Sequence, residues 1–426
     1  MRKLLYFAVA AVVAATVWFL TPLSAGDGGG SSAICRDTDA AGRLRLRQVD
    51  PQQVGIDPSR LSCVDQAVMR SIDSGDAPGA VLCVVRHGCI ACLRAYGNRR
   101  VVPDTVAMSE DTVFDLASLT KVVATNTAVM QLVEQGRLRL GDRVDRYIAG
   151  FEGWRNPDDV RDTTHIRIID LMTHTSGLPA YVRLAAVAAE CPGRSFPDRD
   201  ATIGYIAHCR RISPPHEEYR YSCLNYVTLQ HVVECVCGES IDRYAAEHIF
   251  RPLGMADTRF LPDAELSARC APTIVDADEG VLCGVVQDPL ARQLCGGVSG
   301  NAGLFSTAED LAVFVQTMLS GGEHCGVRVL SPLAVKAIAT VPRGYEEFGR
   351  TLGWESCCGY SSTAGDLLSP SAYFHTGFTG TSIVIDPALD LGIILLTNRV
   401  HPCSTGSVAR MRAEVANAVA GAIVEL

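Results

Sequence analysis

The sequence predicts an α+β fold in which strands from both ends of the chain form one antiparallel sheet flanked by helices, with a mainly helical lobe inserted. Strand patterns occur early, at residues 80–85 and 90–96, and return late, at 381–385 and 391–397. Helical patterns dominate the middle, from about residue 125 to 310. Strands at both ends with helices between them favour one mixed domain over separate domains.

The N-terminus is typical of an exported protein. Arg2 and Lys3 precede a run of uncharged, mostly apolar residues at 4–20, and the small residues Ser24-Ala25-Gly26 follow. Residues 1–25 are therefore expected to be a signal peptide or an N-terminal membrane anchor. An anchor would attach the protein to the inner membrane through residues 4–20, and either alternative places the rest outside the cytoplasm.

The remaining elements follow in order along the chain. Residues 26–48 are predicted to be a linker, because they contain the flexible run Gly28-Gly-Gly-Ser-Ser32, and the folded domain is expected to span 49–426. Apolar residues at helical spacing predict a first helix over 61–72. A long amphipathic helix is predicted to begin at Ser118 and to end around Gln135-Gly136. Later helices are predicted at 225–236, 310–319 and 408–423.

Seventeen cysteines in an exported chain predict disulfides. Cys83 and Cys92 flank a hairpin turn at His87-Gly88, and in that register they would face each other at a non-hydrogen-bonded pair. The alternative is two separate core residues. Cys89 and Cys92 have the spacing of a zinc knuckle, but no second pair matches it, so a metal site is not expected. The odd total leaves at least one thiol unpaired in a monomer.

Composition excludes several classes of function. The net charge is -9 and no basic surface is indicated, so a nucleic-acid partner is not expected. The sequence has no Gly-x-Ser-x-Gly elbow and no His-Glu-x-x-His motif, which argues against an α/β-hydrolase and a zinc peptidase. No cofactor is expected.

Ser118-Leu-Thr-Lys121 supplies a serine with a partner that could activate it. Positions three apart lie on one face of a helix, so the hydroxyl and the amine would meet. The helix N-terminus is expected to make neutral lysine more accessible and to offer amides to an oxyanion. The chain has three lysines and thirty-five arginines, and arginine cannot give up its proton. The alternative is a helix-start serine beside a surface lysine.

Two further segments could take part in the same chemistry. Tyr221, in Tyr221-Ser-Cys-Leu-Asn-Tyr226, could shuttle protons, although a buried tyrosine at a helix start is the simpler interpretation. His375, in His375-Thr-Gly-Phe-Thr-Gly380, could bind an anion or steer a proton, although it is one of ten histidines. Gly377 would let the strand edge approach a ligand backbone closely.

Together these three segments resemble the penicillin-recognising serine hydrolases, the group of class C β-lactamases, D-Ala-D-Ala carboxypeptidases and related esterases. The order and rough spacing match from about Gly55 to Pro402, and the third motif resembles that of periplasmic penicillin-binding proteins that begin it with histidine. Four further segments support the resemblance: Leu171-Met-Thr-His-Thr-Ser-Gly-Leu-Pro179, Arg251-Pro-Leu-Gly-Met255, Gly300-Asn-Ala-Gly-Leu-Phe-Ser-Thr307 and Leu396-Thr-Asn-Arg-Val-His-Pro402. The resemblance implies a β-lactamase/transpeptidase-like fold.

The resemblance also implies a role for each matched residue. Ser118 would be acylated, Lys121 and Tyr221 would share the proton transfers, and the amides of Ser118 and Phe378 would form the oxyanion hole. The residues expected to contact substrate are His375, Thr376, Gly377, Phe378 and Cys223. Ser176 has no lysine one turn later and matches a structural loop of the family.

Two matched positions depart from the family pattern. Cys223 stands where the second motif has an asparagine, and a thiol is a weak donor. Asn225 is two residues further on and is expected to point elsewhere, so efficient β-lactam hydrolysis is in doubt. His375 takes the place often held by lysine and is expected to be partly charged at neutral pH, with weaker, pH-dependent carboxylate binding. Cys223 is expected to be the odd thiol, and a redox switch is one interpretation of it.

The leading hypothesis is a periplasmic, cell-envelope serine hydrolase. A D-Ala-D-Ala carboxypeptidase or endopeptidase acting on peptidoglycan peptides is the first choice, and an esterase acting on a small acyl substrate is the second. The competing class is a non-catalytic envelope protein that keeps the fold as a peptidoglycan- or ligand-binding module.

Overall fold

The sheet predicted from the two ends of the chain is present in the computed structural model, which describes residues 36–38, 44–158, 163–357 and 363–425. The strands are β1 (Arg36–Thr38), β2 (Leu44–Leu46), β3 (Gly79–Arg86), β4 (Cys89–Arg100), β5 (Val106–Ala107), β6 (Phe114–Asp115), β7 (Trp154–Arg155), β8 (Thr163–Thr164), β9 (Arg259–Phe260), β10 (Val275–Asp276), β11 (Gly280–Val281), β12 (Leu304–Ser306), β13 (Glu323–His324), β14 (Val327–Arg328), β15 (Glu355–Ser356), β16 (Tyr373–Thr376), β17 (Ser382–Asp386) and β18 (Leu391–Thr397).

The helices lie mainly between the two groups of sheet strands. They are α1 (Ser62–Asp73), α2 (Thr127–Glu134), α3 (Ile168–Met172), α4 (Leu184–Glu190), α5 (Arg199–His208), α6 (Cys223–Cys237), α7 (Ile241–Ala245), α8 (Ala264–Ala268), α9 (Ala308–Leu319), α10 (Pro332–Ala339) and α11 (Ala409–Gly421). Short π-helical turns occur at Lys121–Asn126, Ala246–Phe250 and Leu290–Leu294.

The large sheet has seven antiparallel strands in the order β15-β16-β17-β18-β3-β4-β5. Its central pair joins the two ends of the domain, from Leu391 opposite Arg86 to Thr397 opposite Ala80. Successive side chains of a strand point to opposite faces. Val81, Cys83 and Val85 accordingly enter a different core from Ala80, Leu82 and Val84. Helices α1 and α11 cover one face, and α9 packs on the other.

The hairpin of β3 and β4 corrects the predicted Cys83–Cys92 disulfide. The turn lies at His87-Gly88, both in the left-handed region, as predicted. Beyond the pairs next to the turn, a bulge shifts the register by one residue, so Cys92 lies opposite Val84 and Cys83 opposite Leu93. A one-residue shift moves a side chain to the other face. Cys83 and Cys92 are therefore free thiols in separate cores.

The expected disulfide framework is wrong for other cysteines as well, and Cys223 is not a single odd thiol. It is free, and so are Cys63, Cys191, Cys209, Cys235, Cys237, Cys270, Cys283, Cys295 and Cys403. Burial raises the pKa of the Cys83, Cys92, Cys270 and Cys295 thiols, so these behave as small core residues.

The helix after Ser118 runs over residues 119–134 and ends where the sequence predicts, before Gly136. It was expected to be amphipathic, but every residue from Lys121 to Leu132 is buried. The reason is its place in the centre of the protein, where α6, α7 and α10 pack around it. The segment before it, β6, pairs with β12 in a small sheet of order β6-β12-β9. Ser118 is thus held between a strand and a fully buried helix.

The proposed export segment at 4–20 and the glycine-rich linker at 28–32 lie outside the described residues. Within the part of the chain that the structure describes, no helix is both long enough and apolar enough to cross a membrane.

Candidate active site

Ser118 and Lys121 lie in hydrogen-bonding contact, as their spacing predicts. Lys121 Nζ donates to Ser118 Oγ over 2.8 Å and to the carbonyl oxygen of Asn301 over 2.9 Å. Lys121 is fully buried and begins a π-helical turn, a feature that recurs at functional sites. Asn301 belongs to the segment of residues 300–307. Its backbone role could not be found from residue type, because any residue offers a carbonyl.

The charge state of Lys121 differs from the expectation. Burial works to lower its pKa, but its surroundings, with Asp288 as the nearby carboxylate, outweigh burial and raise the pKa above the ordinary value of lysine. The prediction of an easily reached neutral amine at the helix start is therefore wrong. Lys121 rests as an ammonium and holds Ser118 Oγ as a donor.

Tyr221 and Cys223 complete the surroundings of the Lys121 ammonium. The ammonium lies 5.0 Å from the centre of the Tyr221 ring. Cys223 is the first residue of α6, whose N-cap is Ser222, and its thiol lies close to Lys121 and Asn301. Burial raises the pKa of Cys223, so it is a thiol and not a reactive thiolate, which weakens the redox interpretation.

His174 holds Tyr221 in place and was missed as a site residue. Its ring packs 4.4 Å from the Tyr221 ring, centre to centre. Its Nδ1 accepts hydrogen bonds from the Ser222 amide and from Asn225 Nδ2, each over 3.1 Å. Burial holds the pKa of His174 well below the ordinary range, so the ring is neutral and can accept. The Thr-His-Thr-Ser-Gly segment at residues 173–177 is the sequence signal that could have identified His174 as a site residue.

Asn225 and Ser176 point away from the substrate side, as predicted. Ser176 Oγ donates to Asn225 Oδ1 and accepts from the Leu178 amide. Both residues are buried and fix the loop that carries His174. Asn225 therefore does not replace the amide missing at Cys223.

His375 is neutral, which corrects the expected partial charge. It is 4% exposed at the end of β16, and burial lowers its pKa well below the ordinary value, with Lys121, Arg350 and Arg412 adding to the effect. Neither ring nitrogen has a hydrogen-bond partner among the described residues. His375 can therefore donate or accept one hydrogen bond with a ligand, but it does not supply a positive charge.

Gly377 is needed for a close contact within the protein. A Cβ there would overlap the Thr381 hydroxyl and lie 2.5 Å from the carbonyl oxygen of Leu116. Thr381 Oγ1 donates to that carbonyl over 3.0 Å, and Thr379 Oγ1 donates to the Asp115 carbonyl over 2.7 Å. The turn after β16 is thus bonded directly to the residues before Ser118.

A cavity of about 450 Å³ opens over Ser118. Of the predicted site residues, its lining contains Ser118, Tyr221, His375, Thr376, Gly377 and Phe378. Lys121 lies beneath Ser118 and Cys223 beside Lys121, and neither lines the cavity. Phe378 is 54% exposed at the rim.

Three arginines line one side of the cavity, and we call Arg350, Arg399 and Arg412 the arginine wall. Arg350 pairs with Glu355 over 2.8 Å and stacks on Tyr219. Burial lowers the pKa of Arg412 to about 10, which leaves it charged at neutral pH. With His375 neutral and Glu355 negative, the lining is net positive. The sequence could not single these residues out among thirty-five arginines.

Two arginines of the wall also support the turn that follows β16. Arg412 Nη2 donates to the carbonyls of Gly377 and Thr381 over 3.0 and 2.9 Å. Arg399 Nε donates to the Phe378 carbonyl over 2.9 Å, and its guanidinium lies 4.7 Å from the Phe378 ring. The wall therefore combines positive charge with rigid support for the predicted oxyanion amide of Phe378.

Residues 64–418 match the sequence profile of the family described as Beta-lactamase. A protein of Escherichia coli O157:H7, provisionally named D-alanyl-D-alanine carboxypeptidase, is 34% identical over 396 residues, which cover 87% of this chain and 89% of that protein. A protein of Escherichia coli K12 with the same provisional name is 33% identical over 393 residues, with the same coverage.

Solved structures share the fold. EstCE1, described as a hydrolase with promiscuous acyltransferase activity, has a TM-score of 0.69 at 23% identity and covers 85% of this chain and 99% of its own. An octameric penicillin-binding protein homologue of Pyrococcus abyssi has a TM-score of 0.61 at 21% identity, over 79% of this chain and 73% of its own. These likenesses confirm the predicted β-lactamase/transpeptidase-like fold.

Proposed function

The chain belongs to the β-lactamase family of serine hydrolases, and we propose that within this family it is a D-Ala-D-Ala carboxypeptidase or endopeptidase that works through an acyl-enzyme on Ser118. The observation that carries the proposal is the contact of 2.8 Å between Lys121 Nζ and Ser118 Oγ at the floor of a positively lined cavity. The provisional name of the Escherichia coli relatives supports the same substrate class.

In the proposed reaction, Ser118 Oγ attacks the substrate carbonyl, and the amides of Ser118 and Phe378 bind the resulting oxyanion. Lys121 and Tyr221 form a proton relay. As Ser118 gives its proton to this pair, the pair gives one to the leaving amine, so neither group has to be strongly basic alone. Water then attacks the acyl carbon and gives a proton to the same pair. The pair returns a proton to Ser118 Oγ as the bond from Oγ to the acyl carbon breaks and the acid is released.

The arginine wall favours a substrate that ends in a carboxylate. Arg350, Arg399 and Arg412 contribute three positive charges, against the one negative charge of Glu355. A peptide ending in D-Ala-D-Ala presents a carboxylate close to its scissile bond, and arginine is the residue best suited to bind one. Neutral His375 would add a hydrogen bond at the same place.

The test is covalent labelling of the purified protein. We expect a fluorescent penicillin to modify Ser118, with a fluorophosphonate as a probe that needs no carboxylate. Mass spectrometry should place the adduct on Ser118, and Ser118→Ala should remove it completely. Wild-type protein that takes up neither probe would contradict the proposal and favour a non-catalytic peptidoglycan-binding module.

An esterase is the second candidate, and a specific observation favours it. Cys223 leaves the site without the asparagine amide that the family uses for a peptide substrate. Comparing hydrolysis of a D-Ala-D-Ala peptide with that of a matched ester lacking the terminal carboxylate separates the two. Faster turnover of the peptide supports the carboxypeptidase, and turnover of the ester alone supports the esterase.

We further propose that the enzyme works in the cell envelope, on peptidoglycan peptides or small acyl esters. The support is the export pattern of residues 1–25, with a signal peptide and an anchor at 4–20 as the two alternatives. The proposed domain organisation is a linker at 26–48, within which the structure describes β1 and β2, and a hydrolase domain at 49–426, with a helical lobe at about 125–310.

A further inference from the structure

Asp115 lies three residues before Ser118 and touches both sides of the site. It belongs to β6 and is 2% exposed. Its Oδ1 accepts from the Ala117 amide over 2.9 Å, and its Oδ2 accepts from the Gln287 amide over 2.7 Å. Its backbone carbonyl accepts from Thr379 Oγ1 over 2.7 Å. One residue thus bonds to three separate segments.

The first of these bonds holds an unfavourable backbone conformation. Ala117 has a φ of 46°, in the left-handed region that residues with a Cβ rarely adopt. Ala117 directly precedes Ser118, which lines the cavity and whose amide is the first proposed oxyanion donor. Asp115 Oδ1 holds the turn by accepting the Ala117 N–H.

The bond from Thr379 fixes the opposite side of the site. Thr379 follows Phe378, whose amide is the second proposed oxyanion donor. Its hydroxyl anchors the turn of residues 377–381 to the carbonyl of Asp115, and Thr381 anchors the same turn to Leu116. The distance between the two donors therefore depends on the conformation of residues 115–117.

We infer that Asp115 is a positioning residue that holds the proposed oxyanion amides of Ser118 and Phe378 in one site. The inference rests on the proposed acylation of Ser118. The ionised carboxylate can accept from Ala117 and Gln287 together, whereas a protonated carboxyl or an amide presents a hydrogen to one of these N–H groups. Acylation should therefore require ionised Asp115.

The charges around Asp115 set the pH at which this requirement appears. Burial raises the pKa of Asp115 to about 6, and the charge of Asp288 acts in the same direction. The amides of Gln287 and Ala117 and the charge of Arg292 act to lower this pKa. The Cys270 thiol also faces the carboxylate. Because the pKa is raised on folding, protonation favours the folded state as the pH falls through about 6. Loss of rate over that range would therefore not reflect unfolding at this group.

The test is the rate of labelling of the full chain by a fluorescent fluorophosphonate between pH 4.5 and 8. For wild type, we expect the limiting rate to fall below about pH 6, as Asp115 takes up a proton. Asp115→Asn should lower the limiting rate at pH 7.5 by about 10- to 100-fold, the range for loss of a preorganised oxyanion donor. The fluorophosphonate concentration that gives half of the limiting rate should change by less than about twofold in Asp115→Asn. The fall in labelling rate below about pH 6, the acid limb of the pH–rate profile, should disappear in this variant.

Asp310 provides a matched control. It is also buried, its pKa is also raised to about 6 by burial, and it also accepts a backbone amide, that of Asp257. It does not touch residues 115–118 or line the cavity. Asp310→Asn should keep the wild-type pH–rate profile, whatever it does to the melting temperature.

A rescue distinguishes positioning from general damage. Glycine adopts a positive φ without penalty. The double variant Asp115→Asn with Ala117→Gly should therefore be labelled at least about five times faster than Asp115→Asn alone. Asp115→Asn protein with wild-type rate and an unchanged acid limb would overturn the inference. An unlabelled wild type would instead contradict the proposed function, so the two failures are distinguishable.

Discussion

The floor of the cavity and the arginine wall are built in different ways. On the floor, Lys121 is fully buried and each of its contacts is made by the protein itself. Beside the wall arginines, which bond to Glu355 and to backbone carbonyls, Phe378 is half exposed and His375 has two ring nitrogens with no partner among the described residues. The difference indicates that the chemical step is preorganised, whereas His375 beside the wall still needs a ligand as its hydrogen-bond partner.

The largest expected effect comes from breaking the floor. Lys121→Arg keeps the charge but removes the proton that can move, and it places a bulkier group in a site without space. We expect acylation of Ser118 to slow about 1,000-fold, within the range for loss of a general acid–base group. Stopped-flow labelling of Ser118 with a fluorophosphonate measures this rate. Lys336→Arg changes the exposed lysine of α10 in the same way and should have no effect.

A smaller effect is expected from the wall, and it should depend on the substrate. Arg350→Gln should raise KM about tenfold for a peptide with a terminal carboxylate, since one charged hydrogen bond is lost, and should leave a neutral ester unaffected. Because this change also leaves Glu355 unpaired, Arg350→Gln with Glu355→Gln is the matched double variant. An equal loss for both substrates would mean that Arg350 acts on structure and not on recognition.

The smallest expected effect is a gain. Cys223→Asn restores an amide that can donate to a substrate carbonyl and accept from Lys121. We expect hydrolysis of a penicillin acyl-enzyme to speed up about fivefold, the value of one modest hydrogen bond. The release of fluorescent product from labelled protein measures this rate. No change, or a decrease, would place the barrier to β-lactam turnover somewhere other than position 223.

Sequence reasoning was strongest where geometry is local. The contact of Ser118 with Lys121 follows from a spacing of three residues, and β18 has the predicted bounds, Leu391–Thr397. It failed where one added residue changes a register, as for Cys83 and Cys92. Such a bulge leaves no pattern in the hydrophobic alternation here, because β3 and the first five residues of β4 are buried on both faces.

The charge states in the site were not predictable for a different reason. The neutrality of His375 depends on burial and on Lys121, Arg350 and Arg412, which lie far apart in the sequence. The raised pKa of Lys121 likewise depends on groups far along the chain, such as Asp288. A pKa is the sum of contributions in three dimensions, so motif spacing can identify the group but not its charge.

The pairing of β3 with β18 also bears on synthesis. The ribosome completes β3 at residue 86, but its partner is finished only at residue 397. Until then one edge of the β3–β4 hairpin remains without its partner strand, and such edges are sites of aggregation. Contacts so distant in sequence slow folding. The sheet, and with it the turn that reaches Ser118, can therefore form only when nearly the whole chain has been made.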